Sequence, residues 1–171
     1  RTAVRGHENP AIEVAAAYAV QLGLPFFVYH AVDERYPHAS DRHHRFVLEG
    51  ARNVAAEFAA AEIGYALHVA RPGHRGDYLR QLANRAALVV TEELPVAPLR
   101  DWTESLAAEL KVPLVAVDTA CVLPMPQVPK AYTRAFEFRR ATQRARRERI
   151  FAEWPEVRGE GFLPDLPFVP V

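Results

Sequence analysis

The sequence is poor in cysteine and has no long hydrophobic run. Cys121 is the only cysteine among 171 residues, so an intramolecular disulfide cannot form. A single thiol is compatible with a reducing compartment, and we expect a cytoplasmic protein. No run of about 18 apolar residues occurs, which argues against a transmembrane helix. We also find no secretory signal, and we expect no membrane partner.

The standard loops that cradle phosphates are missing as well. Neither G-x-G-x-x-G nor G-x-x-x-x-G-K-[ST] occurs. Residues 73–76, Gly-His-Arg-Gly, could hold an anion through backbone N–H groups at a helix start, although a plain turn is favoured. Ser40, Ser105 and Cys121 lie outside any G-x-S-x-G elbow. We therefore predict no catalytic nucleophile.

A group of histidines could suggest a metal site. His38, His43 and His44 lie close to Asp41 in the sequence. Adjacent side chains on a helix point about 100° apart, so His43 and His44 cannot easily share one ion. Polar residues at the start of a surface helix explain the group better, and no metal is predicted.

The charge is balanced overall but unevenly distributed. The net charge is zero, yet residues 130–149 contain eight basic residues opposed only by Glu137 and Glu148. The arginines in this segment spread around the predicted helix rather than forming one stripe. The segment could bind nucleic-acid phosphates, or its arginines could contact another domain or solvent, and the second interpretation is slightly favoured.

Helical and strand patterns alternate along the chain. The apolar run at residues 25–32 is typical of a strand buried on both faces. Asn9-Pro10 and Ser40 or Asp41 predict helix starts, and Gly23 predicts a helix end. The alternation favours an α/β fold, a Rossmann-like parallel sheet flanked by helices. Helices are predicted near residues 10–22, 41–63, 77–86 and 99–110, and strands near 25–32, 65–69, 88–91 and 113–118.

The two ends of this pattern suggest how the chain is organised. The order begins with a helix, whereas a doubly wound sheet normally opens with a central strand, so we expect a further strand before Arg1. Residues 1–124 are predicted to form the α/β domain. Residues 125–171 are predicted to be a proline-rich connection, a long basic helix near 131–151 ended by Trp154-Pro155, and an extended linker.

Five segments, in order along the chain, resemble segments of class II photolyases. They are R-x-x-x-N-P-A at residues 5–11, R-H-x-x-F-x-L-x-G at 42–50, V-T-E-E-L-P and P-L-R within 90–100, V-D and V-L-P within 117–124, and K-A-Y-T-R at 130–134. Two departures are visible. Glu92 stands where the family usually has aspartate, and Thr-Ala-Cys at 119–121 replaces Ala-His-Asn.

The resemblance implies a photolyase, a lyase that repairs pyrimidine dimers in DNA with light. In that family FAD and the dimer pocket belong to a helical carboxyl-terminal domain, which this chain lacks, so we expect the chain alone to be catalytically silent. The amino-terminal domain can hold an antenna chromophore, a deazaflavin or a folate, that passes excitation to the flavin. The implied partners are the FAD domain of the same polypeptide and, through the full-length protein, DNA.

The resemblance and the strand-end rule together predict an antenna pocket. Ligands of open α/β sheets bind at the carboxyl ends of the strands. Arg100 could act as a fixed cation for an acidic ring or a phosphate tail. Equally, Arg100 could pair with Glu92, Glu93 or Asp101 and fix the proline-rich loop. The predicted lining is Tyr29, His30, Asp33, Glu92, Glu93 and Arg100.

Two other functions share features with this sequence. A stand-alone nucleotide-binding protein of the universal-stress type has the same architecture, and a pure interaction module could use the basic helix. The missing glycine-rich loop and the P-L-R segment favour the photolyase antenna domain. The sequence leaves open whether the parent protein repairs DNA or acts as a photoreceptor.

Overall fold

The computed structural model describes residues 4–153 and 159–171. Helices and strands alternate through the first of these ranges. The elements are α1 Pro10–Leu22, β1 Phe27–Asp33, α2 Asp41–Ala60, β2 Gly64–Ala70, α3 Tyr78–Ala83, β3 Val89–Glu93, α4 Leu99–Glu109, β4 Leu114–Asp118 and α5 Ala135–Ile150, with a 3₁₀ turn at Met125–Gln127. The predicted α/β class with parallel strands flanked by helices is confirmed.

The first two helices begin where capping residues predict. The Asn9 side chain accepts a hydrogen bond from Ala11 N, and Pro10 occupies the first helical position. Gly23 ends α1 in a left-handed conformation, with φ of 63°, which glycine adopts without a steric penalty. The Ser40 side chain accepts a hydrogen bond from His43 N at the start of α2.

Three helix boundaries differ from the prediction. Helix α2 ends at Ala60, and Glu62 takes a left-handed conformation, with φ of 56°, before β2 begins at Gly64. Helix α3 is a short element of 6 residues; Asp77 precedes it without a side-chain capping bond and pairs with Arg80 instead. Helix α5 begins four residues later than predicted, at Ala135. The predicted stop at Trp154-Pro155 lies outside the described residues.

The four strands form two parallel pairs. Strands β1 and β2 pair in a register from Phe27 opposite Gly64 to Asp33 opposite Ala70. Strands β3 and β4 pair from Val89 opposite Leu114 to Glu93 opposite Asp118. Within the described ranges, β1 and β3 have no strand bonded to their other edges. These two strand pairs do not test the expected strand before Arg1, which stays a prediction.

Helices cover the two strand pairs unequally. Helix α2 packs on β1 and β2 through a core that includes Ala51, Val32 and Leu67. Helix α1 contacts both β3 and β4 and buries Ala16 and Ala19. The full burial expected for the first strand is not reached. In β1 only Val32 is buried, because the strand has one hydrogen-bonded neighbour among the described residues.

Residues 159–171 lie against the first strand pair. Phe26 and Gly161 form a parallel β-bridge. Val171 N donates a hydrogen bond of 3.0 Å to Leu67 O, and Phe168 packs against the ring of Tyr29. In the part of the chain with described coordinates, no helix has the length and apolar character needed to cross a bilayer.

Candidate functional site

Charged side chains converge where β1 and β2 end. The Arg35 guanidinium donates to Asp33 at 2.6 Å, and this bond lowers the pKa of the Asp33 carboxyl to about 2. From the loop after β2, Arg75 pairs with Glu34 at 2.5 Å. The Arg75–Glu34 ion pair therefore joins the ends of two parallel strands at the edge where open α/β sheets bind ligands.

Aromatic rings gather at the same edge. The Tyr36 ring lies 6.0 Å from Trp102 in α4, 5.6 Å from His38 and 6.2 Å from His43 in α2, measured between centroids. This cluster joins the loop after β1 to the first turns of α2 and α4. Trp102 remains about half exposed. We call Tyr36, His38, His43 and Trp102 the edge cluster.

His44, next to the edge cluster, has an unsatisfied polar atom. Its Nε2 is shielded from solvent and has no hydrogen-bond partner in the described part of the protein. The ring lies 6.0 Å from that of His43 at the start of α2. A buried unpaired ring nitrogen is costly, so a polar ligand atom could satisfy it. Among the described residues, no three His, Cys, Asp or Glu side chains form a group suited to a metal ion.

Arg100 lies beside this edge, in the first turn of α4. Its guanidinium donates to Asp101 at 3.0 Å and approaches Glu104 at 3.7 Å. The Arg100–Asp101 contact is one of those expected if the arginine serves a structural role. All three side chains are largely exposed, so the ion pairs hold the guanidinium only weakly.

Two predicted lining residues in β1 bond to β2 instead of sharing one pocket. Tyr29 OH lies 2.9 Å from His68 Nδ1, and His30 Nδ1 lies 2.8 Å from Tyr65 OH. Successive strand residues point to opposite faces, so these two pairs lie on opposite sides of the β1–β2 sheet. Burial raises the pKa of both phenols to about 12 and lowers the pKa of His30.

The Tyr29–His68 pair extends to a third group. His68 Nε2 lies 2.8 Å from His74 O, and a carbonyl can only accept, so Nε2 carries the proton. The Nδ1 atom can then accept from the Tyr29 hydroxyl. The ring of Phe168 packs on both Tyr29 and His68. This chain of contacts supports a packing role for Tyr29.

The two predicted glutamates lie at the end of β3. Glu92 is 5% exposed and Glu93 is half-buried. The parallel register places Glu93 opposite Asp118 of β4. Burial opposes ionisation of Asp118, but backbone N–H groups of Cys121, Ala120 and Met125 hold its pKa below the usual value. Burial raises the pKa of the neighbouring Cys121 thiol.

The predicted lining residues have different surroundings. Asp33 pairs with Arg35, which precedes Tyr36 in the chain, and Arg100 pairs with Asp101, which precedes Trp102. Tyr29 and His30 instead bond to residues of β2. Sequence reasoning missed Tyr36 and Trp102. The sequence pattern could have predicted both residues, because Tyr36 follows a predicted strand end and Trp102 follows the P-L-R segment.

The chain resembles known proteins along most of its length. A family model described as DNA photolyase matches residues 1–158. A deoxyribodipyrimidine photo-lyase from Methanothermobacter thermautotrophicus is 31% identical over 125 residues, which is 73% of this chain and 27% of that protein. The chain therefore spans little more than a quarter of this curated relative's length.

Proposed function

The chain belongs to the DNA photolyase family, and from that premise we propose that it is the amino-terminal light-harvesting domain of a class II, deoxyribodipyrimidine photolyase-like protein that repairs DNA with light. The observation that carries this proposal is the match of the family model to residues 1–158, on an α/β fold with parallel strands. The comparisons do not favour the universal-stress alternative.

The carboxyl edge of β1 has groups that fit a planar antenna chromophore. Tyr36 and Trp102 offer aromatic faces, the unsatisfied His44 Nε2 offers a polar contact, and the exposed guanidinium of Arg100 offers a cation. Aromatic and polar groups of this kind make up typical sites for cofactors. We propose that a deazaflavin or a folate lies here.

The chromophore, when bound, would supply absorption of light and transfer of the excitation energy to a flavin. The chain's own residues would hold it. Tyr36 and Trp102 would pack on its rings and keep water away, and Arg100 would neutralise an acidic group. Asp33 and Glu34, tied to Arg35 and Arg75, would keep the strand ends in place.

The proposal extends to the parent polypeptide. FAD and the chemistry of dimer repair would belong to a carboxyl-terminal domain, since electron transfer is the chemistry of the cofactor. That domain and DNA would be the partners, in the cytoplasm. This chain alone would therefore bind no FAD and repair no dimers.

A titration of deazaflavin and of folate into the chain tests the antenna role. We expect one of the two to bind and to quench the fluorescence of Trp102. Arg100→Gln should weaken binding by roughly 1.5–3 kcal/mol, the usual worth of a hydrogen bond to a charged group. Trp102→Ala should weaken binding as well, because it removes one aromatic face.

Arg144→Gln is the matched control, since Arg144 is also exposed and ion-paired, to Glu148 of α5. It should leave the affinity unchanged. Failure of both chromophores to bind would refute the antenna role for this chain. Equal binding by wild type and Arg100→Gln would make Arg100 structural and move the pocket elsewhere.

A further inference from the structure

Helix α5 has several arginines without a carboxylate partner. Arg144 pairs with Glu148 at 2.8 Å, and Arg149 donates to Val122 O at 2.6 Å. The other arginines of the helix form no ion pair with any carboxylate of the described residues, and they are Arg139, Arg140, Arg146 and Arg147. Their charges are therefore available to an external anion.

These four arginines share one side of the helix. At 100° per residue they fall within an arc of about 120°, centred on Gln143. The buried Thr142, which is 1% exposed, lies roughly 100° away from the centre of this arc. The sequence predicted arginines spread around the helix without forming one stripe. The four that lack a carboxylate partner do share one side, because Arg144 and Arg149, which lie outside this arc, are engaged elsewhere. We call this set the arginine face.

The spacing along the arginine face fits a phosphate backbone. Seven residues separate the first pair, Arg139 and Arg140, from the second, which corresponds to about 10.5 Å of helix. One DNA strand places a phosphate every 3.4 Å along the duplex axis, so the face spans about three such intervals, which are bounded by four phosphates. Guanidinium groups bind phosphate oxygens with two parallel hydrogen bonds.

The surroundings of the arginine face favour a polyanion. Residues 130–149 contain eight basic and two acidic residues, while the whole chain has no net charge. The phosphates of a DNA duplex offer an anion to each guanidinium, whereas a protein partner would need carboxylates placed to match all four arginines. The exposed Phe136 and Ile150 at the two ends of the face would also fit a protein partner, which is the competing occupant.

We propose that the arginine face of α5 contacts the phosphate backbone of duplex DNA. This proposal rests on the proposed function only in assuming that the protein acts on DNA. The geometry of α5 is independent of the antenna site. Binding through phosphates carries no sequence preference, so the face would add affinity and orientation. It would let the antenna domain contribute directly to holding the duplex.

The test is fluorescence anisotropy of a labelled duplex with the 171-residue chain at several salt concentrations. Four phosphate contacts predict a slope of about −3.6 for the logarithm of the binding constant against the logarithm of salt concentration. Arg146→Gln/Arg147→Gln should reduce the slope to about −1.8 and weaken binding at every salt concentration.

Arg42→Gln/Arg52→Gln is the matched control. It also removes two exposed arginines that have no ion pair among the described residues, but from α2. It should keep the wild-type slope. Circular dichroism melting checks that each double variant is folded. We expect both to be folded, because the four substituted arginines lie at or near the surface.

Three results would overturn the proposal. One is the absence of measurable DNA binding at low salt, and another is an equal loss in the α5 and α2 variants. The third is a wild-type dimer in sedimentation that the α5 variant converts to monomer without any change in DNA binding, which would assign the face to a second copy. Chromophore titration of the same α5 variant should match wild type. Failure of the DNA-binding proposal can therefore be distinguished from failure of the antenna role.

Discussion

The phenol of Tyr29 contributes to the structure through one buried histidine. His68 is 4% exposed, and its two ring nitrogens meet the Tyr29 hydroxyl and the His74 carbonyl. Removing either partner would leave a polar atom of the ring both buried and unpaired. The loss of one hydrogen-bond partner is therefore more costly here than on the surface.

Tyr29→Phe should lower the free energy of unfolding by roughly 1–3 kcal/mol, because Nδ1 of His68 loses its donor. For a domain of this size each kcal/mol lowers Tm by about 2–4 °C. Calorimetry of the variant measures the shift. The chromophore affinity should stay at the wild-type value, since Tyr29 lies away from the edge cluster.

Tyr18→Phe provides the control for this substitution. Tyr18 lies in α1, is partly exposed, and its hydroxyl has no hydrogen-bond partner among the described residues. The control should leave Tm unchanged. A Tyr29→Phe protein with wild-type Tm but lost chromophore binding would reverse the assignment and place Tyr29 in the pocket.

Prediction of site residues from the sequence was limited by the pairing of strands. The sequence located β1 well, but Tyr29 and His30 were taken to be near its end, whereas β1 continues to Asp33. Alternation then sends the two side chains to opposite faces. Their partners, His68 and Tyr65, depend on the register with β2, which residue patterns in one strand do not encode.

Helix starts were predictable wherever the capping interaction is local. Asn9 and Ser40 both cap helices because each bonds to an N–H only two or three residues away. The start of α5 was misplaced since no residue there provides a side-chain cap. Without a local cap, the boundary depends on what the segment contacts, and the basic sequence alone does not specify those contacts.

The two caps should differ in their contribution to stability. Asn9 is 6% exposed, accepts from Ala11 N at 3.1 Å and donates to Arg5 O at 2.9 Å. Ser40 is exposed and accepts from His43 N at 3.3 Å. Asn9→Ala should cost about 1–2 kcal/mol, and Ser40→Ala about 0.5 kcal/mol, both within the range measured for caps.

Urea unfolding of both variants measures this order. Ser40→Ala serves as the internal control, because it removes the same kind of interaction from a solvent-exposed position. Equal losses for the two variants would show that burial of Asn9 and its bond to Arg5 add nothing to the cap. An Asn9→Asp variant should retain the bond to Ala11 N and lose the one to Arg5 O, giving an intermediate value.

The assembly of the strands was the least predictable part of the fold. The sequence indicated four strands and their parallel direction, since helices connect them. Which strands become neighbours depends on contacts between distant segments, and apolar runs such as residues 25–32 look alike whichever neighbour they have. Among the described residues no strand joins the two pairs, and the expected strand before Arg1 stays a prediction.

The outer edge of β1 should therefore behave as an open edge in this chain. Glu34 N bonds to Ala70 O of β2, so by alternation the N–H groups of His30 and Val32 also face β2, while those of Tyr29 and Ala31 face away. We expect the amides of Tyr29 and Ala31 to exchange with deuterium much faster than those of His30 and Val32, as measured by NMR. In a longer polypeptide whose additional strand pairs with this edge, the Tyr29 and Ala31 amides should become protected, because they would then donate to that strand. Equal protection of all four amides in the 171-residue chain would show that the edge is already paired and that no strand is missing beside β1.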